Sequence, residues 1–166
     1  MANIKWTGYF EFEHYDKNGN LIWQQRKESG HNSLSDKGEE NMLDVYFRGG
    51  TAPASFEIGL FNDTPVDTDD VADLTGEPST NGYARQALAR DTTDFPTLAL
   101  DSGDYKVTSK QVTFSAAGGS WGPVTHACLI YVNGVTKKLI AYQALSQSRT
   151  LADGEQLKVT YAVKLS

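Results

Sequence analysis

Leu157, Val159, Tyr161, Val163 and Leu165 alternate with Lys158, Thr160, Ala162 and Lys164, and this period of two commits the end of the chain to a half-buried β-strand. Such a strand cannot stand alone; it needs a sheet beside it and a second layer against its apolar side. The same pattern recurs upstream. Phe10 and Phe12 alternate with Glu11 and Glu13, the turn-forming run Asp16-Lys17-Asn18-Gly19-Asn20 follows, and Leu21 to Lys27 extends again as a hairpin partner. Val124 to Val132 is apolar on both faces, Asn133-Gly134 marks a tight turn, and Lys138 to Leu145 returns as the other arm of a central hairpin buried on both sides. Tyr83–Arg90 and Tyr105–Phe114 read as further strands, separated by a break at Pro96. About eight turn-punctuated strands imply an all-β domain with one short helix: an antiparallel β-sandwich of jelly-roll or related Greek-key topology.

The helix is expected over Asp36 to Arg48. Met42, Leu43, Tyr46 and Phe47 fall at helical spacing, Asp36, Glu39 and Glu40 suit the positive N-terminal end, and Gly49-Gly50 stops the run. Beyond Ser55–Phe61, where Phe56, Ile58 and Leu60 share a face, lies a long polar loop from Asn62 to Gly82. No Lys or Arg occurs between Gly49 and Ala84, where seven of the 21 acids stand. The net charge of −6 is therefore concentrated there, and a loop of this length is a candidate interaction surface. A chain of 166 residues suits one compact unit. Residues 1–30 read as an aromatic-rich hairpin that is either two more strands of the sandwich or a docking arm, and residues 31–166 as the sandwich domain.

Several functions are disfavoured. No apolar stretch approaches the length of a membrane span, and the first residues lack the pattern of a secretory signal, so no membrane partner is expected. The acidic balance disfavours nucleic acid. Cys128, the sole cysteine, offers neither a disulfide nor a zinc framework. His14, His31 and His126 form no recognised catalytic motif. His126 and Cys128 share a strand face with Val124, Ile130 and Val132, a composition that reads as core and not as a thiol–imidazole pair. Asp63, Asp67, Asp69, Asp70 and Asp73 offer the hard oxygen ligands Ca²⁺ prefers, but their spacing misses the EF-hand pattern. No catalytic residue, cofactor or metal ligand is assigned. Trp6, Trp23 and Trp121 are weighed as sugar-stacking rings, with ordinary cross-strand packing the plainer reading for the first two.

Phe56-Glu57-Ile58-Gly59-Leu60-Phe61-Asn62-Asp63-Thr64-Pro65, then Leu74-Thr75-Gly76-Glu77-Pro78, Asn81-Gly82-Tyr83-Ala84-Arg85-Gln86, Val112-Thr113-Phe114 and Trp121-Gly122-Pro123-Val124, carry a resemblance. In this order the segments resemble small virion structural proteins of tailed bacteriophages, over roughly residues 33–166. The resemblance implies a non-enzymatic virion component assembled in the host cytoplasm. Its first reading is a capsid decoration (cement) protein on the head surface, a homo-oligomer, expected to be a trimer, that bridges subunits of the major capsid protein. The alternative is a tail, fibre or baseplate module, with glycan binding as one form. The expected assembly contacts are Trp6, Tyr9, Phe10, Phe12 and Trp23 of the aromatic arm and Asp67, Asp69 and Asp70 of the acidic loop. Arg85 completes these contacts and is expected to anchor that loop by a charge-assisted bond.

Overall fold

The computed structural model describes residues 5–27 and 32–165, and within them eleven strands and one short helix form two antiparallel sheets. The strands are β1 (Trp6–Tyr15), β2 (Leu21–Gln25), β3 (Ser33–Leu34), β4 (Ser55–Phe61), β5 (Gln86–Ala89) and β6 (Thr97–Asp101). They continue with β7 (Asp104–Thr108), β8 (Val112–Ser115), β9 (Trp121–Asn133), β10 (Thr136–Leu151) and β11 (Gln156–Leu165), and the helix is α1 (Asp36–Leu43). The first sheet has the order β2-β1-β11-β7-β6, with β8 also paired to β11, and the second the order β3-β10-β9-β4-β5. The partners nest: β1 with β11, β3 with β10, β4 with β9, β5 beside β8, and β6 with β7. A long hairpin rolled up on itself gives this order, which places the sandwich among jelly rolls.

The alternation in β11 works as expected. Leu157, Val159 and Tyr161 point inward and are buried, and the β1 register sets Phe12 opposite Val159 and Phe10 opposite Tyr161, with the last two rings 4.9 Å apart. Burying a large apolar side chain of this kind contributes about 1.5–3 kcal/mol. β1 therefore lies inside the first sheet, between β2 and β11. Two buried glutamines join the sheets along this side. Gln143 of β10 accepts from the Phe10 amide at 2.8 Å and donates to its carbonyl at 3.2 Å. Gln25 donates to the Ala144 carbonyl and accepts from the Ser146 amide.

Elsewhere the elements differ from expectation. The segment from Tyr105 to Phe114 is two strands, because Ser109 is buried between them and bonds the Tyr161 backbone through both its amide and its hydroxyl. β6 follows Pro96 where only a break was foreseen. Opposite Thr125, β10 carries four residues, Leu145 to Ser148, and this bulge resets the register of β9. Val124 consequently packs in the inner core with Ala127 and Leu129, not beside Cys128 and Ile130.

The helix is shorter than read, and turned over. Ser35 caps α1 by accepting from the Gly38 amide, and after Leu43 the chain widens into a π-helical turn, Asp44–Arg48, ended by Gly49 at φ 73°. Gly38 and Asn41 face the protein. Gly38 sits so close to the Ile140 carbonyl that a Cβ there would collide with it, so the helix backbone itself lies on β10. Of the apolar residues at helical spacing, Met42 is half-buried and Leu43, Tyr46 and Phe47 are left outside.

Candidate functional site

The acidic loop folds back across the outer face of the second sheet. Val71 and Leu74 pack over Phe61, Cys128, Ile130 and Leu139, which form a second small core. The carboxylates serve as internal acceptors. Asp63 takes the Thr64 and Thr75 amides and the Thr75 hydroxyl, and the Thr75 bond holds its carboxyl below the usual range. Asp70 takes the amides of Val71 and, across the sheet, Leu139 at 2.8 Å. Asp69 accepts from the Val66 amide and Asp67 from the Tyr142 hydroxyl. The far end is pinned by Arg85, which forks onto both oxygens of Glu77 at 2.7 Å. Its guanidinium also reaches Glu57 at 3.5 Å and lies 5.6 Å from the Phe61 ring centre. Tyr83 accepts from the Leu60 amide and donates to Glu77. Among the described residues no group of three or more His, Cys, Asp or Glu side chains could hold a metal ion.

The other expected contacts are scattered. Phe10 and Phe12 are fully buried in the core and have no surface to present, a correction to their place among the docking residues. Tyr9 is half-buried on the opposite face of β1. Trp6 is half-buried, Trp121 is buried, and Trp23 is half-buried with the Arg149 guanidinium 5.0 Å from its ring centre. None offers an open aromatic platform to a sugar. Cys128 is buried under the loop, and burial pushes its thiol well above the ordinary range, which disfavours the thiolate. His126 lines an open polar cleft of about 550 Å³ with Asn62, Thr125 and the β10 bulge, and burial lowers its pKa.

The two ends of the sandwich differ more than its faces. Gln143 meets Phe10 and Arg149 meets His14, so β10 and β1 run in the same direction through the two layers. The end where β1 and β10 begin also holds α1, the β9–β10 turn, the β6–β7 turn and the close of β11. Tyr46 and Phe47 are 83% and 75% exposed there, their rings 5.1 Å apart, beside exposed Leu43. Leu98, Leu100 and Tyr105 of the β6–β7 hairpin, Val135 and Leu165 complete the set. Of the eleven exposed large apolar side chains among the described residues, only Leu21, Ile22 and Val66 lie elsewhere.

Part of this surface continues the core. The register aligns Trp6, Leu165, Tyr105 and Leu100 in one row across β1, β11, β7 and β6, on the side of the first sheet that carries Phe10 and Tyr161. Farther along β11 that side is covered by the second sheet; here Leu165, Tyr105 and Leu100 are exposed and Trp6 is half-buried among the described residues. Sequence reasoning missed this region because helical spacing at Leu43, Tyr46 and Phe47 signals burial, and β6 was not recognised.

A family model described as podophage GP4 fiber I protein gp80 matches residues 33–164. No curated protein matches the chain.

Proposed function

Because the chain belongs to the podophage GP4 fiber I protein gp80 family, it is a structural protein of a tailed-phage virion, and we propose that it serves in the fibre or tail apparatus, docking through its apolar end. The observation that carries the docking part is the gathering at one end of exposed apolar side chains, Leu165, Tyr105 and Leu100 where the core face runs out and the Tyr46–Phe47 pair after the helix; exposed apolar surface collected in this way marks an interaction site. The family description supports the tail-and-fibre alternative and lends nothing to capsid decoration or to a trimer on the head surface. The reading assigns the protein no chemistry: its work is to present shape to neighbouring subunits and to itself.

A reconstruction of the virion tests the assignment. Density on the tail or its appendages, at about three to a few dozen copies per particle, is the expected result. Hundreds of copies spread over the shell would overturn it. In the same particles, changing Tyr46 and Phe47 together to Ser should lower incorporation without lowering the amount of folded protein.

A further inference from the structure

We propose that β6 is the docking edge for a second copy of this chain, two β6 strands pairing antiparallel about a two-fold axis at Ala99 so that the first sheet continues into its partner's. β8, which pairs only with β11, has four residues, and the other edges that end the two sheets are blunted in familiar ways. β2 carries a register shift at His14/Tyr15 and is followed by Arg26 and Lys27, β3 has two residues, and β5 has four, set between Arg85 and Arg90. β6 reads Thr-Leu-Ala-Leu-Asp, with no base, no internal proline and no bulge against β7, and all but Asp101 is exposed.

The backbone supports one register. Ser102 (φ 56°) and Gly103 (φ 97°) form a two-residue turn closed by the pair Asp101–Asp104. Counted from that pair, the ladder spends the groups of Asp101, Ala99 and Thr97 on β7 and turns those of Leu98 and Leu100 outward. The bond from the Ser109 amide to the Tyr161 carbonyl, on the far side of β7, has the same phase. A two-fold axis at Ala99 sets Leu98 against Leu100 of the partner, twice, so that all four outward amides and carbonyls pair and four leucines line up on one face. A centre at Leu98 would bring Pro96, which has no N–H, opposite Leu100; a centre at Leu100 would bring the turn residue Ser102 opposite Leu98. Charge agrees with this choice. Asp101 falls opposite Thr97, and the nearby carboxylates of Asp101 and Asp104 are already tied to Lys106 and Lys164 within one chain.

Cross-linking of the full chain tests the register. Ala99 would form a non-hydrogen-bonded pair with its own copy, with Cα atoms about 4.5 Å apart, a distance a disulfide spans. Ala99→Cys should therefore oxidise to a covalent dimer, whereas Thr97→Cys, displaced from the axis, should not; buried Cys128 leaves little background. Leu98→Lys should weaken self-association at least about tenfold by sedimentation, with the urea midpoint of the monomer unchanged because this side chain is 69% exposed. Equal cross-linking at both positions, or a wild-type chain that stays monomeric at high concentration, would refute the pairing. Neither result bears on where the protein sits in the virion, so this inference and the fibre reading stand or fall separately.

Discussion

The outer face of the second sheet and the apolar end of the sandwich carry opposite sequence signals, and each turns out to be the reverse of its signal. The loop over that face is acidic and long, the pattern of an open binding surface, yet its carboxylates are bonded to its own amides and to Leu139, Tyr142 and Arg85. The helix spacing at Leu43, Tyr46 and Phe47 is the pattern of a core stripe, yet those residues are exposed. A polar segment can close on itself because each Asp carries acceptors for nearby amides; an apolar stripe can only be closed by another surface. On the proposed reading, unmet demand, and not polarity, marks the place where this molecule meets others.

The largest effect should come from breaking the closed side. Arg85→Ala leaves Glu77 without its cation, while Glu57 keeps Lys137 at 2.7 Å; since the Arg85–Glu77 pair is partly exposed, a loss of about 2 kcal/mol is expected, read from the urea midpoint. The same change should loosen the cover over Cys128, so that thiol labelling of the native protein speeds up roughly tenfold or more. An unaltered labelling rate would show that the pin does not hold the cover.

Acid sharpens the contrast next. His14 is buried, donating through Nε2 to Glu155 and accepting at Nδ1 from Arg149; burial first, then the Arg149 charge, lowers its pKa. His126, near Asp63, is lowered by burial too. Both rings take up protons more readily in the unfolded chain, so stability should be flat above about pH 7 and fall as pH drops below about 6.5. Neither ring belongs to the apolar end. The urea midpoint should therefore decline between pH 7.5 and 5.5 while self-association of the still-folded protein does not change; a rising midpoint would contradict the neutral state of these imidazoles.

The smallest effect is expected at the open end itself. Phe47→Ser should shift the stability of the isolated chain by no more than about 0.5 kcal/mol, since the ring touches little of its own molecule. A loss comparable to that of Arg85→Ala would mean that the aromatic pair is structural.

Much of this was legible in the sequence. β11 and the β1–β2 hairpin follow from period-two alternation, and the β9–β10 hairpin from two apolar runs on either side of Asn133-Gly134. Arg85 could be picked out as the first cation after a run of seven acids, and it bonds Glu77. Other features depend on distant partners. That Asp70 would meet the Leu139 amide, 69 positions on, is set by how the loop lies on the sheet. The helix orientation turns on Gly38 fitting against the Ile140 carbonyl, a contact with no periodic signature. β6 does alternate, but without β-branched or aromatic residues beyond Thr97 its five residues carry little strand preference.

Trp6 lies opposite Leu165, with β1 and β11 antiparallel between them through ten paired positions. A pull applied at these two residues would peel the ladder open one pair at a time, the weakest way to load it, whereas a pull along opposite directions of the strands would set all ten pairs against the force together. A part built this way in a phage appendage carries tension best when neighbours grip it by its sides.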